Sequence, residues 1–205
     1  ILVGLVGSEM CIRDRLTTIN GAAISSTSDV LQGLGYVTLG GQVLNADGSV
    51  ATNYNGILEA KVFDKRIARQ TLGNDGTQVG GELGILNFST LGETIFSGQA
   101  SVSNGQFEFD FIVPRDVQIP VGNGKVSFYS KQNGLLRDNN GYNLDIQVGG
   151  LNPNAGTDTT GPAIELFMND ENFISGGVTN DSPNLIVKLE DANGINTASG
   201  IGHDL

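Results

Sequence analysis

The stretch TIFSGQASVSNGQFEFDFIVP, residues 94–114, constrains the fold more than any other. Asn104-Gly105 supplies the positive backbone dihedrals of a type I′ turn, which joins two antiparallel strands tightly. Beyond the turn, Phe107, Phe109 and Phe111 alternate with Gln106, Glu108 and Asp110. That period of two sets three rings toward a core and three polar groups toward water. Pro114 ends the strand, because it has no N–H to give to the ladder.

The same pattern recurs along the chain. Residues 36–39 and 42–44, 57–63, 125–129 and 144–148 read as strands, and Asp47-Gly48 reads as a turn. The polar, Gly-rich residues 65–84 read as a long loop, and Arg137-Asp138-Asn139-Asn140-Gly141 as a turn-rich link. Helical spacing is hinted at only in residues 28–34, and weakly. At Gly149 the texture changes: GGLNPNAGTDTTGP, residues 149–162, has no apolar pattern and reads as a linker. A new strand series follows, with Ile164, Leu166 and Met168 on one face and then Leu185, Val187 and Leu189. The expected fold is all-β: an immunoglobulin-like β-sandwich module over residues 16–148, then the start of a second such module over 163–205. A few strands alone are marginal in water, so the second unit is expected to be cut short.

The formal charge of −11 argues against nucleic-acid binding, which needs clustered Lys and Arg. No apolar run approaches the roughly 20 residues of a membrane-spanning helix. Cys11 is the only cysteine, so residues 16–205 hold no disulfide framework, Cys-ligated zinc or cysteine nucleophile. His203 is the only histidine, followed by Asp204, but strand neighbours point opposite ways and there is no GxSxG elbow. It reads as a loop residue. Asp138-Asn139-Asn140, Asp170-Glu171 and Asp191-Ala192-Asn193-Gly194 carry the oxygens that calcium takes, in six- to eight-fold coordination. In the last of these, the twelfth position of an EF-hand spacing would be Gly202 instead of Glu. Tight turns select the same residues, which is the preferred reading, with a structural calcium between loops as the alternative. The Gly-rich VGGELG, residues 79–84, lacks the lysine and strand–loop–helix context of a phosphate cradle. No catalytic, cofactor-binding or metal-binding residue is assigned.

Two long stretches carry a resemblance: residues 35–65 with their continuation through FSGQASVSNGQFEFDFIVPRD and GNGKVSFYS, and residues 155–205, including GPAIELFMNDENFISGG and GIGHDL. From residue 16 onward they resemble the C-terminal region of PorU-like sortases of the Bacteroidetes type IX secretion system, a gingipain-related group in peptidase family C25. The resemblance implies immunoglobulin-like modules downstream of a caspase-like domain that holds the catalytic His and Cys. It also implies a cell-surface setting at the outer membrane, where such enzymes remove the sorting domain of secreted cargo and join the cargo to a lipopolysaccharide anchor. Cargo and secretion-system surface components are the partners so implied. No motif of the catalytic domain occurs here, so no catalytic residue is carried over and the fragment alone is expected to be inactive. The alternative is a module of a secreted adhesin or carbohydrate-binding surface protein.

Residues 4–15, GLVGSEMCIRDR, fit neither pattern nor composition. They back-translate to a string containing AGATGTGTATAAGAGACAG, the end of a transposase-type sequencing adapter. Residues 1–15 are therefore expected to be foreign to the native protein and to pack poorly. Leaving them out removes two acids and two bases, and the net charge stays at −11.

Overall fold

The computed structural model describes residues 14–25, 29–74, 76, 78, 79, 82–117, 119–157, 159–192, 194 and 195. Cys11, Asn193, Gly202 and His203 lie outside them. The described residues form strands and no helix. In chain order these are β1 (Asp14–Ile19), β2 (Ala22–Ala23), β3 (Val30–Gly33), β4 (Tyr36–Val43), β5 (Gly56–Phe63) and β6 (Ile67–Gln70). Then come β7 (Gln78–Val79), β8 (Glu82–Leu83), β9 (Asn87–Thr90), β10 (Thr94–Ser103), β11 (Gln106–Ile112) and β12 (Gly122–Asn123). The last five are β13 (Lys125–Gln132), β14 (Asp138–Asn143), β15 (Gln147–Leu151), β16 (Ala163–Met168) and β17 (Leu185–Glu190).

The hairpin signal is realised as expected. Asn104 and Gly105 adopt φ of 50° and 73°, and β10 and β11 pair antiparallel across them. Phe107, Phe109 and Phe111 are buried, while Gln106, Glu108 and Asp110 face solvent. Phe96 stacks on Phe109 and Phe111 with centroids 5.2 and 4.6 Å apart, adding aromatic attraction to the burial of apolar area.

The main sheet has eight strands in the order β14-β13-β5-β10-β11-β4-β1-β2. It curls until β14 meets β1. A Cβ on Gly141 would stand 1.8 Å from the Asp14 carbonyl oxygen, so only glycine admits this approach. Leu39, Val43, Leu58, Val62 and Val126 fill the space the curl encloses. A three-stranded sheet, β12-β15-β3, closes over it and contributes Leu31 and Val148 to the same core. The result is an all-β fold consistent with a sandwich, its two sides facing each other.

Several local expectations are corrected. Within residues 28–34, Val30–Gly33 forms β3 instead of a helix, because it has a parallel partner in β15 that local spacing does not reveal. Residues 65–84 are more than a loop: Ile67–Gln70 pairs with β9, and β7 pairs with β8. The polar Asp138–Asn143 is edge strand β14, held by β13 along its length. The strand expected at 144–148 lies at Gln147–Leu151 and overlaps the start of the expected linker. Asp14 and Arg15, expected to stand outside the fold, open β1 and pair with Val43 and Gln42.

β16 and β17 form a separate two-stranded ribbon. Its register puts Ile164, Leu166, Met168, Leu185, Val187 and Leu189 on one face, and Ile164, Leu166 and Leu185 are about 60% exposed. Beyond β17, Gly194 rests on Ile112 of the first module, where a Cβ would come within 2.9 Å of the Ile112 side chain.

Candidate functional site

The three Asp/Asn-rich stretches occupy different places. Asp138 lies on β14 and accepts the Tyr129 hydroxyl at 2.8 Å. Asp170 caps its own turn by accepting the Asn172 N–H at 2.8 Å, and Glu171 pairs with Lys188 at 2.7 Å. Asp191 sits after β17, where its carbonyl accepts the Gly194 N–H. Among the described residues, no three acidic, His or Cys side chains converge as metal ligands.

Polar side chains gather instead at the seam where β14 meets β1. Tyr54 donates its hydroxyl to Ser130 Oγ at 3.2 Å, and Ser130 donates to Asp14 Oδ1, also at 3.2 Å. The Arg137 guanidinium lies 5.4 Å from the Tyr54 ring centroid. Asp14 is 1% exposed, and its Oδ2 has no partner; neither does Nδ2 of the neighbouring Asn139. Burial raises the Asp14 carboxyl to about 6, with the Ser130 hydroxyl pulling the other way. Burial likewise raises Tyr54. This chain of groups holds a Ser and an Asp without a histidine between them. The Ser130 hydroxyl is spent inside the core, so the arrangement serves the seam and offers no nucleophile to a substrate.

A second polar feature lies where β5 runs into β6. Asp64 Oδ1 accepts both the Lys65 N–H at 2.7 Å and Lys65 Nζ at 2.6 Å, and Nζ also donates to the Val148 carbonyl at 3.1 Å. The pair is buried, with side-chain exposures of 4% and 12%, and it ties the end of β5 to β15. Beside it opens a cavity of about 290 Å³ lined by Arg66, Leu91, Asn123, Lys125 and Leu144. Sequence reading missed this feature. The available signal was EAKVFDKRIAR, which packs Lys61, Lys65, Arg66 and Arg69 into nine residues of a strongly acidic chain.

No protein-family model matches the sequence, and no curated protein sequence matches it. A solved structure does: the dimeric latent PorU from Porphyromonas gingivalis, at 29% identity and a TM-score of 0.66. The fold is PorU-like. The match covers 94% of this chain and 18% of the PorU chain, so the described architecture corresponds to less than a fifth of that protein.

Proposed function

We propose that this chain is the non-catalytic, β-rich C-terminal region of a PorU-like cell-surface cysteine peptidase of the gingipain-related C25 family. The observation that carries the reading is the match to PorU across nearly the whole chain at 29% identity. In the parent protein the region positions the peptidase domain, on the outer face of the cell, toward secreted cargo and secretion-system components. The parent removes the cargo's sorting domain and anchors the cargo; the module's buried Asp14–Ser130 and Asp64–Lys65 groups hold its seam and its strand ends. The β16–β17 ribbon is the first hairpin of a further immunoglobulin-like module, whose other strands cover its exposed apolar face.

Two experiments test this. Purified chain is expected to leave cargo carrying a type IX sorting domain uncleaved, since no cysteine follows Cys11. Cleavage that survives Cys11→Ser would sink the assignment of catalysis to another domain. Deleting the matching region from a PorU-like protein is expected to abolish cargo maturation on cells, while the peptidase domain still labels with an active-site thiol probe. Full maturation after the deletion would contradict the positioning role.

A further inference from the structure

The cavity beside the Asp64–Lys65 pair is lined by three donor-bearing side chains, Arg66, Asn123 and Lys125, together with Leu91, Leu144 and the Asp64 carboxylate. Asp64 is held in place through its backbone, whose N–H reaches the Glu93 carbonyl at 2.8 Å, and its carboxylate already accepts Lys65. The Lys65 stem packs on Gly122, where a Cβ would come within 2.9 Å of it. The two charges offset each other, and the rigid turn they make presents the next residue, Arg66, at the cavity. Lys125 approaches from β13, opposite Phe63, with its ammonium 5.8 Å from the Tyr142 ring centroid. Neither Arg66 nor Lys125 makes an ion pair among the described residues. Asn123 accepts the Gln147 amide through Oδ1, which leaves its Nδ2 as a donor.

Arg66, Asn123 and Lys125 therefore bring a guanidinium, an amide and a lysine side chain to the walls, the Lys125 ammonium resting near the Tyr142 ring at the rim, and the lining carboxylate is already neutralised. Such a lining complements an oxyanion: Arg forks onto two oxygens and Lys adds a point charge. Glu93 and Asp145 lie near in sequence and are exposed, but neither lines the cavity. At about 290 Å³ the space is at the lower end for small-molecule sites, enough for one anionic group and the atoms next to it. Leu91 and Leu144, partly exposed at its sides, would meet the carbon skeleton of the ligand.

We propose that Arg66, Lys125 and Asn123 form a binding site for the phosphoryl group of a phosphate monoester. The protein's net charge of −11 opposes any anion, so a dissociation constant on the order of 1–10 mM is expected at low ionic strength. The test is an amide NMR titration of the full chain at pH 7.5 with inorganic phosphate, glucose 1-phosphate and acetate. Saturable shifts centred on Arg66, Asn123 and Gly124 are expected, with glucose 1-phosphate at least about threefold tighter than inorganic phosphate and acetate weakest. Arg66→Gln and Lys125→Gln should each weaken binding roughly tenfold, while Lys188→Gln on β17, which does not line the cavity, leaves it unchanged. Arg66 is exposed and Lys125 only half-buried, so an unaltered circular dichroism spectrum will show that the variants fold. Absent shifts, shifts unaltered in both variants, or equal responses to acetate and phosphate would overturn the site. Equal affinity for inorganic phosphate and glucose 1-phosphate would overturn the monoester assignment in favour of free phosphate.

Discussion

Gly41→Val is expected to remove about 3–5 kcal/mol of stability, a large share of what a domain of this size possesses. Gly41 lies on β4 directly opposite Phe107 of β11, and the ring lies across the glycine. A Cβ at position 41 would stand 2.3 Å from Phe107 Cζ and 2.5 Å from the Arg15 carbonyl oxygen. The first clash could be relieved by moving the ring, but Phe107 is buried and packs on Phe128 at 5.2 Å between centroids. The second involves the β1 backbone, which cannot retreat without breaking its ladder to β4. Overpacking against backbone is therefore costlier than overpacking against a flexible side chain. Phe107→Ala alone should cost about 3–5 kcal/mol through lost burial and the cavity left behind. The double variant should be more stable than the sum of the two losses by about 1–3 kcal/mol, because removing the ring removes one of the two clashes. Urea unfolding followed by circular dichroism measures all three. A loss below about 1 kcal/mol for Gly41→Val would contradict the ring-over-glycine packing.

Asp14→Asn is expected to stabilise the chain at neutral pH. The carboxyl is buried with one oxygen unpartnered, and burial raises it from 3.8 to about 6 in the folded protein. Below pH 3.8 both folded and unfolded chains hold the proton, and the protonated acid contributes its full stability. Between about 4 and 6 the unfolded chain has released the proton while the folded chain keeps it, so stability falls as pH rises. Above about 6 the folded chain carries a buried charge and that contribution is gone. The groups facing Asp14 do not compensate: Ser130 supplies a neutral hydroxyl, Tyr54 is protonated throughout, and Arg137 lies over the Tyr54 ring instead of against the carboxylate. At 1.36 kcal/mol per unit, a shift of this size corresponds to roughly 2–3 kcal/mol. Asp14→Asn should thus gain about that much at pH 7, match the parent near pH 3, and lose the parent's decline in stability between pH 4 and 6. A variant no more stable at pH 7, with the same decline, would contradict the account of the seam. The gain also fits the sequence reading, in which Asp14 belongs to an adapter-derived stretch that no selection fitted to this core.

The parts of the fold visible in the sequence are those governed by neighbours in the chain. Asn104-Gly105 and the three phenylalanines specify their hairpin through local backbone preference and a period of two, and both appear as expected. β3 and β15 were not visible as partners, because 117 positions separate Val30 from Gln147 and the parallel pairing leaves no turn between them. β14 was hidden for another reason. Its residues are those of a loop, and it is a strand only because Gly141 lets it reach β1 and β13 supplies its hydrogen bonds. The cavity beside the Asp64–Lys65 pair has the same origin: Arg66, Asn123 and Lys125 come from two segments that meet only in the folded chain. Residue types alone read the acidic stretches as turns, with calcium as the alternative; in the fold Asp170 bonds within its own turn and Glu171 pairs with Lys188 of β17.

The central claim, that this is the β-rich region of a PorU-like peptidase, is tested most directly by the native gene. Long-read sequencing from the source DNA, across the junction at residues 15 and 16, should show no adapter-encoded residues. It should also show, in frame upstream, a gingipain-type domain with its catalytic His and Cys. An upstream sequence of adhesin-like repeats, or a start codon with no peptidase domain before residue 16, would contradict it.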